Sequence, residues 1–370
     1  MSPKSLPVKG EQESSRNKPT VLITGSTGLI GSRIVNALAA SYQLVGLDVK
    51  PPKRKTSGTT FVTCDLTKTD SVTKALKQVA DECGRNIASV IHLAAYYDFT
   101  GEPSPLYQKL TVEGTRRLLQ QLQSYQVEQF VFSSSLLVMK PVEEGESIDE
   151  TSPTEATWDY PKSKLDAEEV IQVQRGNIPV VVLRIAGVYD EDCHSIPIAQ
   201  QISRIYQKDF ESYFFPGDAD HGQAFVHLND LVDCVVKTVE RRSELGPYEL
   251  LLIAEPDVMS YAELQEEIGE LIHGQEWPTI RLPKMLAKAG AWVKDKLADE
   301  DQPEFIKPWM IDLADAHYPV EIGRARQKLG WNPKHRLRNT LKEMTVRLKQ
   351  DPAHWHKIND LPLPETATSE

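Results

Sequence analysis

From Thr20 onward, short runs of apolar and β-branched residues alternate with longer amphipathic stretches. TVLITG, YQLVGLD, TFVTCD, ASVIHLAA, QFVFSSS and PVVVLRIAGVY read as strands, most of them too uniformly apolar to leave one face in water. Between them, LIGSRIVNALAA, SVTKALKQVADEC, SPLYQKLTVEGTRRLLQQLQSY and YPKSKLDAEEVIQVQ place their apolar residues at helical spacing. Strands apolar on both faces and separated by helices predict a parallel sheet covered on both sides. After Asp190 the pattern loosens, then NDLVDCVVKTVERR and YELLLIAE return to it within 222–255.

The organisation expected is a disordered tail over residues 1–18 and a sheet domain over 19–190, to which 222–255 returns. A smaller, interleaved, mostly helical substrate-binding region is expected from 191–221 and 256–350, followed by a loose C-terminal tail over 351–370.

The turn after the first strand carries chemistry. Thr24-Gly25-Ser26-Thr27-Gly28-Leu29-Ile30-Gly31 spaces three glycines between a strand and a helix. Gly25 lets the chain leave the strand sharply, Gly28 lets backbone approach a pyrophosphate, and Gly31 lets the helix pack close, with its N-terminus facing the anion. Asp48 ends the second strand at about the 20-residue spacing expected of a carboxylate on the adenosine ribose. A doubly wound, Rossmann-type domain holding a dinucleotide follows. A carboxylate there repels a 2′-phosphate and favours NAD, while Lys50, Lys53 and Arg54 just downstream leave NADP open. Asp65, after the third strand, reads as a polar group near the adenine, as the N-cap of the next helix, or as both.

Tyr160-Pro161-Lys162-Ser163-Lys164 puts a phenol and an amine four apart, on one face of a helix start. A free phenol is a poor base at neutral pH, and a neighbouring ammonium stabilises its phenolate. Lys164 can also hydrogen-bond the nicotinamide ribose.

These pieces, with His92-Leu93-Ala94-Ala95, Val112-Glu113-Gly114-Thr115, Phe132-Ser133-Ser134-Ser135, Leu183-Arg184, Val188-Tyr189, Phe225 to Asp230 and Leu329 to Pro333, occur in a specific order and spacing. Taken together the chain resembles the extended short-chain dehydrogenase/reductases, in their NAD-dependent epimerase/dehydratase branch, from about Thr20 to Gln350. The resemblance implies hydride transfer at a carbinol or carbonyl carbon. Tyr160 would be the acid–base group, Lys164 its electrostatic partner and Ser135 the hydroxyl on the substrate oxygen, with Ser133 and Ser134 as alternatives. The cofactor contacts expected are Gly25, Thr27, Gly28, Leu29, Ile30, Gly31, Asp48, Asp65, Leu66, Leu93, Ala94, Ala95 and Ser133, together with Tyr160 and Lys164. For the substrate, Tyr97, Ser135, Leu136 and His194 are expected. His92 is read as a packed strand-end histidine rather than a catalyst. A homodimer through two helices flanking the sheet is an expectation of the resemblance alone.

Departures from the family pattern narrow the substrate. Gln223-Ala224 stands where members acting on nucleotide sugars carry an arginine for the pyrophosphate, and Leu136-Leu137 where the dehydratases carry Asp-Glu. Tyr96, Tyr97, Phe99 and Leu136 to Met139 suit a less polar alcohol or ketone, or are simply core. Dehydrogenase and epimerase both stay open, as do a nucleotide-sugar epimerase and a non-catalytic dinucleotide sensor.

Composition removes other classes. A net charge of -11 over 370 residues disfavours a nucleic-acid surface. No apolar run approaches the roughly 18 residues that span a bilayer. Four scattered cysteines without CxxC spacing point to neither zinc nor a disulfide framework and fit a reducing cytoplasm. The run Asp190-Glu191-Asp192-Cys193-His194 is read as no metal site, because neighbours on an irregular loop rarely converge on one ion.

Overall fold

The computed structural model describes residues 18–54, 56–98, 101–288 and 308–363. The tail at 1–17, residues 364–370 and Phe99 lie outside the described residues. Seven parallel strands form the central sheet: β1 (Thr20–Thr24), β2 (Gln43–Asp48), β3 (Thr59–Thr63), β4 (Ser89–His92), β5 (Phe130–Ser135), β6 (Val180–Ile185) and β7 (Tyr248–Ile253). Their order is β7-β6-β5-β4-β1-β2-β3, so the strand order reverses between β1 and β4, where a doubly wound sheet opens its ligand crevice.

The strands are apolar on both faces because both are covered. Val21 and Ile23 of β1 enter one core with α1 (Leu29–Leu38) and α6 (Leu228–Glu240), while Leu22 between them enters the other. That second core also takes α2 (Thr69–Cys83), α3 (Glu113–Leu122) and α4 (Asp159–Gln174). β6 alternates likewise, with Val181 and Leu183 on one side and Val180 and Val182 on the other. The α/β architecture expected from the hydrophobic pattern is the one observed.

A third core lies beyond the sheet, built by α5 (Ile196–Gln207), α7 (Tyr261–His273), α8 (Leu337–Gln350) and α9 (Pro352–Ile358). Within 256–350 a strand also forms, Ile280–Leu282, pairing with Phe214–Pro216 in parallel.

Over its described part, 351–363, the loose end expected at 351–370 is corrected. Asp351 accepts a hydrogen bond from the His354 amide, Pro352 takes the first turn, and α9 follows. Trp355 (1% exposed) and Leu361 then fill the third core, an apolar demand that the polar average of the segment hides.

The stretch leading into α3 does not run as one regular helix. Residues Tyr107–Val112 form a wider π turn, in which Tyr107 Oη donates to the Asp98 carbonyl (3.0 Å) and Thr111 Oγ1 accepts from the Tyr96 amide (3.1 Å). Such a turn re-aims side chains beside a site. Here it sets the Tyr107 ring edge-on to Tyr96, with centroids 4.8 Å apart.

Candidate active site

The crevice is framed by the glycine loop. Gly25 has φ +67°, and a Cβ there would come within 3.0 Å of the Ala94 amide. A Cβ on Gly31 would lie 2.1 Å from the Gly25 carbonyl, so helix and loop can approach this closely only through glycine. Gly28 differs: its absent Cβ would meet nothing nearer than 3.5 Å, leaving open space beside the first turn of α1. The N-terminus of α1 carries no side-chain cap, so its amides are available to an anion. Loop, gap and helix end therefore fit a dinucleotide pyrophosphate next to Thr27, Leu29 and Ile30.

Asp48 Oδ2 accepts from the Thr27 amide (3.1 Å) and from Thr27 Oγ1 (2.9 Å), so it fastens the loop to the end of β2. Asp65 is not the N-cap of α2, which is Lys68 without a side-chain cap. Instead Asp65 accepts from the Thr67 amide (3.0 Å) and Thr67 Oγ1 (2.6 Å) in the preceding turn, and these bonds hold its carboxyl below the usual range. Leu66 buries its side chain in the second core, and its carbonyl accepts from Arg117, so only its backbone amide is left as a candidate cofactor contact. Leu93 and Ala94 donate their amides to the Thr24 carbonyl and Thr24 Oγ1, which pulls the end of β4, with Ala95 following, against the glycine loop.

His92 is structural. Its ring sits between Thr24 Oγ1 (2.7 Å) and Thr115 Oγ1 (2.9 Å), fully buried, and burial pushes its pKa down to about 3. It is a neutral crosslink between β1 and α3.

The end of β5 meets α4. Ser133 Oγ donates to the His92 carbonyl (3.1 Å) and Ser134 Oγ hydrogen-bonds Glu168, so two of the three serines are engaged in the scaffold. Ser135 stands within hydrogen-bonding reach of Tyr160. Burial pushes the Tyr160 phenol up to about 12, against the lowering pull of that Ser135 contact. Lys164, one helical turn on, donates to the Ser133 carbonyl (2.7 Å) and lies 5.8 Å from the Tyr160 ring centre. Burial pulls its ammonium down to about 7, opposed by the charge of Glu168.

Aromatic rings wall this pair. The Tyr97 ring stands edge-on to Tyr160 at 4.9 Å and is half exposed, while Trp158 lies 5.6 Å away. Leu136 was expected to face the substrate; it is 3% exposed in a short 3₁₀ turn and packs into the first core. A strand that ends and turns inward at once leaves that side chain no path to the crevice.

His194 adopts a left-handed backbone (φ 43°) and donates its amide to Asn359 Oδ1 (2.9 Å). Its Nδ1 pairs with Asp190 at 2.8 Å, which raises the imidazole pKa. The reason given for dismissing a metal here is also corrected: ligand atoms of Asp190, Asp192 and His194 do converge, all within 4.8 Å of one another. They already hold partners, since Asp192 is paired with Arg347 and Asp190 with His194.

Comparison with known proteins places this geometry. Residues 21–254 match the family described as the NAD dependent epimerase/dehydratase family. The chain belongs to that family. It is therefore an NAD-dependent enzyme of the extended short-chain dehydrogenase/reductase type. A UDP-glucose 4-epimerase of Vibrio cholerae is 25% identical over 337 residues, covering 88% of this chain and 94% of its own. A short-chain dehydrogenase/reductase family 42E member 1 of Xenopus laevis is 24% identical over 373 residues, covering 93% and 89%. Among solved structures, a dTDP-glucose 4,6-dehydratase of Bacillus anthracis in complex with NAD superposes with a TM-score of 0.68 at 17% identity, covering 92% of this chain and 99% of that one, which supports the fold alone.

Sequence reasoning passed over Glu168, Trp158 and Asn359, and named Arg184 without a role. Glu168 continues the four-residue spacing of Tyr160 and Lys164, a signal that was present. Asn359 has none, because two of its three partners lie 165 and 167 residues away.

Proposed function

We propose that this enzyme oxidises, reduces or epimerises a secondary alcohol carried on a weakly polar ring, with Tyr160 as acid–base, Ser135 on the reacting oxygen and Lys164 holding both charge and cofactor ribose. The observation that carries it is the Ser135–Tyr160–Lys164 cluster under the rings of Tyr97 and Trp158. NAD, when bound, supplies the two-electron acceptor. Tyr160 takes the hydroxyl proton, and the Lys164 ammonium makes a phenolate tolerable in a site that burial otherwise turns against charge. Ser135 steadies the oxygen while its charge changes.

The substrate class rests on what surrounds the pair. A nucleotide diphosphate needs unpaired cations. At the family's arginine position stand the uncharged Gln223 and a buried Ala224. Farther out, Arg281 is paired with Asp218 and Asp220, and Lys284 with Asp315. A sterol-4-alpha-carboxylate 3-dehydrogenase of Candida albicans, matching 61% of this chain at 25% identity, supports an apolar ring substrate. The second reading, a nucleotide-sugar 4-epimerase, is favoured by the Vibrio relative.

Tyr160→Phe tests the chemistry. Turnover falls by about 10²–10⁴ while NADH binding is kept; full activity in that variant would end the proposal. A panel of cyclic alcohols against UDP-glucose, followed by NADH absorbance and by epimer analysis, separates the two substrate classes. The reading also includes a homodimer through α3 and α4, where Val173 is 76% exposed, which light scattering checks by mass. A cytoplasmic site of action fits four free thiols. No described helix is long and apolar enough to cross a membrane.

A further inference from the structure

Glu168 is buried, charged and unused by the chemistry above. It lies two turns beyond Tyr160 and one beyond Lys164, on the same face of α4. Two of them are hydrogen-bonded to consecutive residues of β5, Lys164 to the Ser133 carbonyl and Glu168 to Ser134 Oγ, and Tyr160 lies near the next, Ser135. Behind Glu168 stands Arg184 of β6, in register with Ser134. Its guanidinium grips the carboxylate at both ends, Nε to Oε1 at 3.1 Å and Nη2 to Oε2 at 2.7 Å, and its remaining Nη1 points to Met139 Sδ. Glu168 and Arg184 are only 5% and 6% exposed.

A buried ion pair adds little stability over apolar residues of the same size. This one is placed where charge matters. Lys164 also is 3% exposed, and among the described residues its hydrogen-bond partner is a backbone carbonyl rather than a carboxylate. Glu168 is the nearest acid along its helix face.

We propose that Glu168 is a positioning residue: clamped by Arg184 and Ser134, its carboxylate keeps Lys164 an ammonium and holds α4 in the rotation that sets Tyr160 on Ser135. The proposal rests on the roles given to Tyr160 and Lys164 above. Its charge arm can nevertheless be tested without turnover, because Lys164 is assigned to the cofactor ribose, so NADH affinity follows its protonation.

The probe is NADH, titrated by fluorescence across the neutral pH range. In the unaltered protein, affinity falls as pH rises through the Lys164 titration, placed at about 7. Loss of a carboxylate lowers the affinity of the amine for its proton, so the inflection moves to lower pH. In Glu168→Gln a downward move of about one pH unit is expected, read as a several-fold weakening of NADH at neutrality. Glu168→Gln leaves Arg184 as an unpaired cation that lowers Lys164 further and invites misfolding, so Glu168→Gln combined with Arg184→Met is measured beside it and shows a smaller move in the same direction. Glu168→Asp and Ser134→Ala keep the charge and keep the inflection. An inflection that stays in place in the folded double variant, or moves equally in Ser134→Ala, overturns the proposal. Neither result depends on Tyr160→Phe, whose failure to lose turnover would sink the proposed chemistry instead.

Discussion

The two halves of this molecule are held together by different means. In the sheet half, strand ladders and two alternating apolar faces do the work, and each element is specified by residues near it in sequence. The half beyond Asp190 is stitched by side chains reaching across long stretches of chain. Trp277 Nε1 and Gln265 Nε2 both donate to the Ser212 carbonyl (3.1 and 3.2 Å), and Asn359 closes on both His194 and Asp192. The contrast separates the glycine loop, which is a local motif, from an assembly of residues far apart in sequence.

That contrast can be broken from either side. Trp355→Ala strikes the assembled half. Removing a fully buried indole from the third core costs about 3–5 kcal/mol, read by chemical denaturation, with NADH affinity little changed because the glycine loop lies in the other half. Equal losses of stability and of NADH binding would show that the halves are energetically one. Gly31→Ala strikes the local half. A Cβ 2.1 Å from the Gly25 carbonyl must push helix and loop apart, at about 1–3 kcal/mol, a smaller stability cost but with NADH binding abolished. An alanine variant that binds NADH normally would remove the glycine loop from the account.

Legibility followed the same division. β1, β2 and the Thr24–Gly31 turn were readable because short continuous apolar runs and glycine spacing are local facts. Tyr160, Lys164 and Ser135 were readable as a motif, and their proximity follows from the packing of α4 on the end of β5. Leu136 misled because hydrophobicity does not say whether a residue lines a cleft or fills a core. The convergence of Asp190, Asp192 and His194 needed the positive φ values of Cys193 (79°) and His194 (43°), which no pattern of residue types announces. The helix at 352–358 did announce itself, through Asp351 and Pro352, but averaged polarity outweighed the start signal.

The smallest effect distinguishes the halves by sign. His92, in the sheet half, is held neutral by burial, with its pKa pulled from 6.5 to about 3, so its contribution is complete above 6.5 and is lost as pH falls toward 3. His194 is the reverse. The Asp190 hydrogen bond raises its pKa, so its contribution is complete below the ordinary histidine value and disappears as pH climbs through the raised one. Asp190, itself lowered, keeps its share until pH falls through its own depressed value, so the pair is strongest between the two. Lys164, drawn down to about 7, gains stability as pH rises and masks the His194 loss in any single melting curve. The difference between the unaltered protein and His194→Gln isolates it: about 1 kcal/mol or less at acid-neutral pH, shrinking to nothing on the alkaline side. A difference that grows with rising pH would mean that Asp190 pairs with a neutral imidazole, and that the loop closing the second half is held by Asn359 and backbone shape rather than by charge.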